Sequence, residues 1–192
     1  LCEGLPFGSD VGNLSILGND PHRYYTGRAA MEAANLGIEL KQNEVAFRCN
    51  LVYVKDGKMV DYSAGHISTK EAKELIKLID EKFGNKDVRF YPGKSYRHIM
   101  VMKGGDNVKA TAPHDIFGQE YEKYFPKGTK SSFLIQLMQD SHLLLEGHEI
   151  NVQRRAEGKS PANMIWLWGQ GKKLELPKLR NIRIGWSSYF CS

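Results

Sequence analysis

An α/β fold is predicted for this 192-residue chain, and three observations predict it. Residues 45–54 form a run of apolar, β-branched and aromatic side chains, and Asp56-Gly57 after it is the signature of a two-residue hairpin turn. Ser68-Thr-Lys-Glu71 has the form of a helix capping box, with apolar residues recurring behind it at helical spacing. Strand-like and helix-like segments then continue to alternate as far as Trp168.

The elements follow in order. Near the amino terminus Pro6 and Gly8 bend the chain, and Ser9-Asp10 opens a short apolar run, Val11, Leu14, Ile16 and Leu17. Such a turn-to-helix junction aims unpaired backbone N–H groups at whatever sits there. Ser9 is therefore a candidate nucleophile toward an anionic phosphoryl group, whose product the same donors would hold. The same pattern also describes an ordinary N-cap. The strand 45–54 turns through Lys55-Asp-Gly-Lys58 into Met59-Val-Asp-Tyr62. Behind the capping box Ala72, Leu75, Ile76, Ile79 and Phe83 mark a helix that Gly84 ends. Val88-Arg-Phe-Tyr91 and Tyr96-Arg-His-Ile-Met-Val-Met102 read as strands, with Pro92-Gly93 and Gly104-Gly105 as turns at their ends. Thr129 precedes a second long helix, in which Phe133, Leu134, Leu137, Met138, Leu144 and Leu145 form a stripe closed by Gly147. Residues 149–158 form a third helix, and Met164-Ile-Trp-Leu-Trp168 a buried strand bounded by Pro161 and Gly169.

Composition narrows the function classes. Hydrophobic residues at 41% and charged residues at 26% suit one or two packed cores. The net charge of +5 does not point to nucleic acid, because basic and acidic residues interleave, as in Lys70-Glu-Ala-Lys-Glu74. No run of about eighteen apolar residues exists to span a membrane, and no basic head precedes an apolar run at the start, so neither a membrane nor a signal peptide is expected. Cys2, Cys49 and Cys191 are odd in number, widely spaced and without a Cys-x-x-Cys pair. Neither a disulfide framework nor a zinc site follows, and a cytoplasmic setting is expected.

Several segments carry a family resemblance. Gly8-Ser-Asp-Val-Gly-Asn-Leu-Ser-Ile-Leu-Gly-Asn-Asp-Pro21, Tyr24-Tyr-Thr-Gly-Arg28, Val45-Ala-Phe-Arg-Cys-Asn-Leu51 and Val60-Asp-Tyr-Ser-Ala-Gly-His-Ile-Ser68 come first. Tyr96-Arg-His98, Ala112-Pro-His-Asp-Ile116 and Glu157-Gly-Lys-Ser-Pro-Ala-Asn-Met-Ile-Trp-Leu-Trp-Gly-Gln-Gly171 continue in order. Together they resemble the cofactor-independent (2,3-bisphosphoglycerate-independent) phosphoglycerate mutases of the archaeal type, in the alkaline phosphatase superfamily. The resemblance implies a partial phosphatase-like core with an inserted α/β substrate domain: residues 1–40 as core with the nucleophile, 41–155 as the inserted domain, and 156–192 as the return to the core.

The activity implied is interconversion of 3-phosphoglycerate and 2-phosphoglycerate through a phosphoserine at Ser9, without bisphosphoglycerate. Two divalent ions, manganese or similar, would lower the pKa of the serine hydroxyl and offset phosphoryl charge. Ser9 is the one metal ligand the resemblance assigns here. The upstream aspartate strand and the downstream Asp/His segment that complete the family's metal site have no match in these residues. The chain is therefore expected to be a fragment, inactive alone, and 178–192 matches nothing in the family. Homoserine kinase-like or phosphatase relatives, and a non-catalytic phosphoacid-binding module, are the alternatives.

A phosphoglycerate carries two oxyanions, and guanidinium groups bind both bidentately, so converging arginines are expected. Arg28, Arg48 and Arg97 are the candidates. Arg48 is the one charged residue within its strand, either ion-paired or awaiting a ligand. Arg97 and His98 are adjacent on a strand and face opposite sides; Arg97 is favoured for substrate over His98. His66 lies in the loop before the capped helix, placed to donate to a phosphoryl oxygen or move a proton, or simply to sit at the surface. His114-Asp115 is a metal pair by type but lacks a third ligand at suitable spacing, and is read as structure. Arg154, with Lys159 and Asn163, is a weaker candidate for orienting substrate, the alternative being solvated charge at a helix end.

Overall fold

A computed structural model describes residues 27–173. Ser9, Cys2, Cys191 and the tail 178–192 lie outside the described residues. Those that are described fall within one compact unit, Tyr25–Leu174.

The sheet is organised around β1 (Glu44–Lys55). Val45 to Val52 are buried without a break, because the strand is central in the sheet and packed on both faces. The same β1 residues pair antiparallel with β4 (Arg97–Lys103) and with β5 (Met164–Lys172). A strand has two edges, so β4 and β5 flank it. β3 (Val88–Lys94) lies outside β4, and β2 (Lys58–Asp61) pairs with the far end of β1. The hairpin expected at Asp56-Gly57 is formed, with φ of 51° and 73° at its two central residues, the left-handed pair a tight right-twisted hairpin needs.

Residues directly opposed in an antiparallel pair share a face. Phe47 and Cys49 therefore stand with Met100, His98 and Leu167. Phe47, Cys49, Met100 and Leu167 pack in the main core with Leu75, Ile76 and Ile79 of α2 (Thr69–Phe83) and Leu134, Leu137 and Met138 of α3 (Ser131–Glu146). Each such side chain contributes about 1.5–3 kcal/mol by leaving water. On the other face Ala46, Ile99 and Val101 meet Ala29, Ala30 and Ala33 of α1 (Arg28–Asn35). The alanines let α1 lie close to the sheet. Gly27 allows its entry: a Cβ there would sit 1.8 Å from the carbonyl oxygen of Gln170. A last helix, α4 (Glu149–Ala156), follows α3.

The capping box of α2 is complete, with the Ser68 Oγ accepting from the Glu71 N–H and the Glu71 carboxylate accepting from the Ser68 N–H. Four details differ from expectation. Pro92 and Gly93 lie inside β3, at a register shift, and the turn is displaced to Ser95, whose φ is 52°. β3 pairs only with β4 among the described strands, so a proline costs it no ladder bond, and the Gly93 N–H donates to the ring of His98. Lys130, not Thr129, caps α3, in a left-handed conformation without a side-chain bond. Phe133 is 40% exposed, and Ser141 takes a core position with its hydroxyl donating to the Met138 carbonyl and accepting from the Ile165 N–H. β5 runs past Gly169 to Lys172, with that glycine at φ 61°.

Candidate functional site

Arg48 faces α1, directly between Ile99 on β4 and Trp168 on β5. Its guanidinium forms a two-point pair with Glu32 of α1, Nε to Oε2 at 3.1 Å and Nη2 to Oε1 at 2.9 Å. It lies 4.3 Å from the centre of the Trp168 ring, within cation–π range. Trp168 is itself held by donating from Nε1 to the Asn50 Oδ1. Burial lowers the Arg48 pKa, Glu32 opposes this, and the positive charges of Arg28 and Arg97 add to the lowering. Arg97, which opposes Asn50 of β1, stands on the same face of the sheet as Arg48. Arg28, partly buried, is the first residue of α1.

Arg97 opens β4 with its side chain exposed and its guanidinium 5.7 Å from the Tyr96 ring. His98 points the other way and is 1% exposed, as period-two alternation requires. Its Nδ1 accepts from the Gly93 N–H at 2.9 Å, which leaves the proton on Nε2, a buried atom with no partner among the described residues. Burial pushes its pKa down to about 3, so the ring is neutral near pH 7 and brings no charge to an anion. Both residues border a cavity of about 270 Å³ together with Glu32, Asn35, Lys94 and Ile99. Glu32 thus links the Arg48 pair to the cavity edged by Arg97 and Lys94.

His66 is exposed in the turn between β2 and α2, at φ 49°. Its ring meets that of Tyr96 edge-on, with centroids 6.0 Å apart. Tyr96 contacts Tyr62, Tyr62 contacts His114, and His114 contacts Trp168 at 5.4 Å. A continuous series of rings therefore connects His66 and Arg97 at one end with Arg48 at the other. His114 belongs to this series and stands 3.6 Å from Asp115. Among the described residues no three His, Cys, Asp or Glu side chains converge to hold a metal ion. The described residues do not fit a metal centre.

Arg154 is placed elsewhere. It is 4% exposed, not solvated, and its donors are committed: Nε to the Ser160 carbonyl, Nη1 to both oxygens of Glu71, and Nη2 to the Ala64 carbonyl. Asn163 is buried and bonds both backbone groups of Val54, and Lys159 forms an exposed pair with Glu157. Burial pushes the Cys49 thiol well above its usual range, so it is chemically quiet.

Sequence reasoning missed Glu32, Tyr62, Tyr96 and Trp168 as members of this group. Trp168 carried a usable signal, since it stands two positions from Trp166 and so shares its face. Glu32 carried none, because its pairing spans 16 residues and depends on how α1 docks.

Comparison with known proteins gives the family. The family model described as 2,3-bisphosphoglycerate-independent phosphoglycerate mutase matches residues 1–151. A protein of that name from Methanosarcina barkeri is 49% identical over 182 residues, covering 94% of this chain and 46% of the relative. A probable 2,3-bisphosphoglycerate-independent phosphoglycerate mutase from Geobacter sulfurreducens is 50% identical over 175 residues, covering 88% and 44%. The solved structure of the cofactor-independent phosphoglycerate mutase from Thermoplasma acidophilum superposes with a TM-score of 0.68 at 27% identity, over 86% of this chain and 47% of that one. The chain spans less than half the length of these relatives. It belongs to the family of 2,3-bisphosphoglycerate-independent phosphoglycerate mutases.

Proposed function

We propose that this chain binds and orients phosphoglycerate for the interconversion of 3-phosphoglycerate and 2-phosphoglycerate. The observation that carries this reading is the placement of Arg48 on Trp168 and of Arg97 on Tyr96, on one face of the sheet and beside the cavity that Glu32, Lys94 and Arg97 border, in a chain of this family. The substrate presents a phosphate and a carboxylate, and two guanidinium groups with different freedom suit that pair. Arg48 is fixed by Glu32 and Trp168, whereas Arg97 is exposed and free to close on an anion entering beside Lys94.

In this reading the Ser9 hydroxyl loses its proton as its Oγ attacks phosphorus, the bond from phosphorus to the 3-oxygen of glycerate breaks, and that oxygen takes a proton. After the glycerate turns, its 2-oxygen gives up a proton and attacks the phosphoserine, the bond from phosphorus to the Ser9 Oγ breaks, and the Oγ takes a proton again. His66 gives and takes the proton at the glycerate oxygens, the role histidine suits near neutral pH. The two divalent ions of manganese type that the resemblance implies have no ligand set among the described residues. The domain division at residues 40 and 155, and a cytoplasmic setting in keeping with the free Cys49 thiol, belong to the same reading.

The test is titration of 3-phosphoglycerate into the chain, followed by assay of 2-phosphoglycerate from a version extended to its relatives' length. Binding that Arg97→Ala abolishes, with mutase activity in the extended protein, supports the reading. ATP-dependent phosphorylation of homoserine by the extended protein, without mutase activity, removes it.

A further inference from the structure

Three consecutive residues of the turn after β2 have positive φ: Ala64 at 49°, Gly65 at 63° and His66 at 49°. Residues other than glycine adopt such values uncommonly, and two beside a glycine persist only where their surroundings over-determine them. The surroundings here do so from two sides. The Asp61 carboxylate accepts from the Ser63 N–H, the Ser63 hydroxyl and the Gly65 N–H, each at 2.7 Å. From the other side Arg154 donates to the Ala64 carbonyl at 2.8 Å and is anchored by Ser160 and Glu71. Gly65 packs so closely on this arrangement that a Cβ would lie 3.2 Å from the Ser160 Cβ and 3.4 Å from the Arg154 Nη2.

Entry into α2 does not require this conformation. Ser68 and Glu71 complete the cap by themselves, and Ile67, 1% exposed, anchors the chain before it. What the strained turn achieves is to hold one exposed imidazole, His66, against the ring of Tyr96, which also carries the Arg97 guanidinium. We propose that Asp61 and Arg154 are positioning residues, which clamp the turn so that the His66 ring is held where a phosphoglycerate bound at Arg97 has its reacting oxygens. The inference rests on the function proposed above. It gives Arg154 a role through His66 in place of direct substrate contact.

The experiment follows the ring Cε1–H resonance of His66 in the 192-residue chain as pH is varied, with and without 3-phosphoglycerate. His66→Ala assigns the resonance, and the dispersion of the Trp166 and Trp168 indole signals reports the fold. In the wild type the ligand is expected to shift the His66 resonance. Asp61→Ala, and Arg154→Ala or the milder Arg154→Lys, are expected to remove that response while leaving the tryptophan signals dispersed. They should weaken 3-phosphoglycerate binding by roughly tenfold, the loss of one hydrogen bond to a charged group. If the clamp variants fold and keep both the His66 response and the affinity within about twofold, the inference fails while the proposed function stands. If the ligand perturbs neither His66 nor Arg97 in the wild type, both fall together.

Discussion

Arg48 and Arg154 are both buried and both face a glutamate, with side-chain exposures of 8% against 36% for Arg48–Glu32 and 4% against 31% for Arg154–Glu71. Burial and charge pairing do not distinguish them, but the destination of their donors does. Arg154 gives two of its bonds to backbone carbonyls, those of Ala64 and Ser160, which nothing else on that side chain's departure would satisfy. The hydrogen bonds of Arg48 go to a carboxylate that borders an open cavity, and its remaining contact is the face of Trp168. An anion can take the place of a carboxylate on a guanidinium, whereas it cannot replace a tied backbone. In the proposed function, then, one arginine holds the chain and the other holds the ligand.

The largest effect expected from this contrast is on stability. Arg154→Ala leaves the Ala64 and Ser160 carbonyls unpaired as well as removing the charge opposite Glu71, and should cost about 3–5 kcal/mol in urea unfolding. Arg154→Lys should recover part of that, because one ammonium reaches Glu71 but cannot serve the three sites together. Arg48→Ala leaves Glu32 with access to water and should cost less, about 1–2 kcal/mol, while 3-phosphoglycerate affinity falls at least about tenfold. Equal stability losses for the two alanine variants would break the comparison.

A pH effect of intermediate size comes from His98. The unfolded chain takes up a proton on this ring near pH 6.5 and the folded chain only near pH 3. Between those values protons favour the unfolded state, so this contribution is full above pH 6.5 and is lost as pH falls toward 3. Between pH 7 and pH 5 the wild type should lose about 2 kcal/mol from this source. His98→Asn, whose carbonyl still accepts from the Gly93 N–H, should show a flatter stability profile over that range. The smallest effect expected is that of Glu32→Gln, which keeps the shape of the Arg48 pair but removes its charge. It should change stability by about 1 kcal/mol or less and leave Arg48 a stronger site for an anion, measured as tighter 3-phosphoglycerate binding.

Much of the fold was legible because its signals are local. The Asp56-Gly57 turn, the Ser68/Glu71 box and the alternation of Arg97 with His98 each depend on a few neighbouring residues, and each is formed. Where tertiary contacts decide, the sequence was less informative. The turn expected at Pro92-Gly93 moved to Ser95 because the His98 ring offered the Gly93 N–H a partner. The stripe of α3 contains Ser141 and omits Phe133 because β5 presents an N–H to be satisfied. At the site, arginine identity was readable from charge in a strand, but the difference between Arg48 and Arg154 was not. It depends on Glu32 across 16 residues and on Ala64 across 90.

The most direct measurement of the central claim is calorimetric titration of 3-phosphoglycerate into the wild type, Arg48→Lys, Arg97→Ala and Lys77→Ala, the last removing a cation 78% exposed on α2. Saturable binding is expected, weakened at least about tenfold in both arginine variants and unchanged in Lys77→Ala. Unchanged affinity in the arginine variants, or an equal loss in Lys77→Ala, would contradict it.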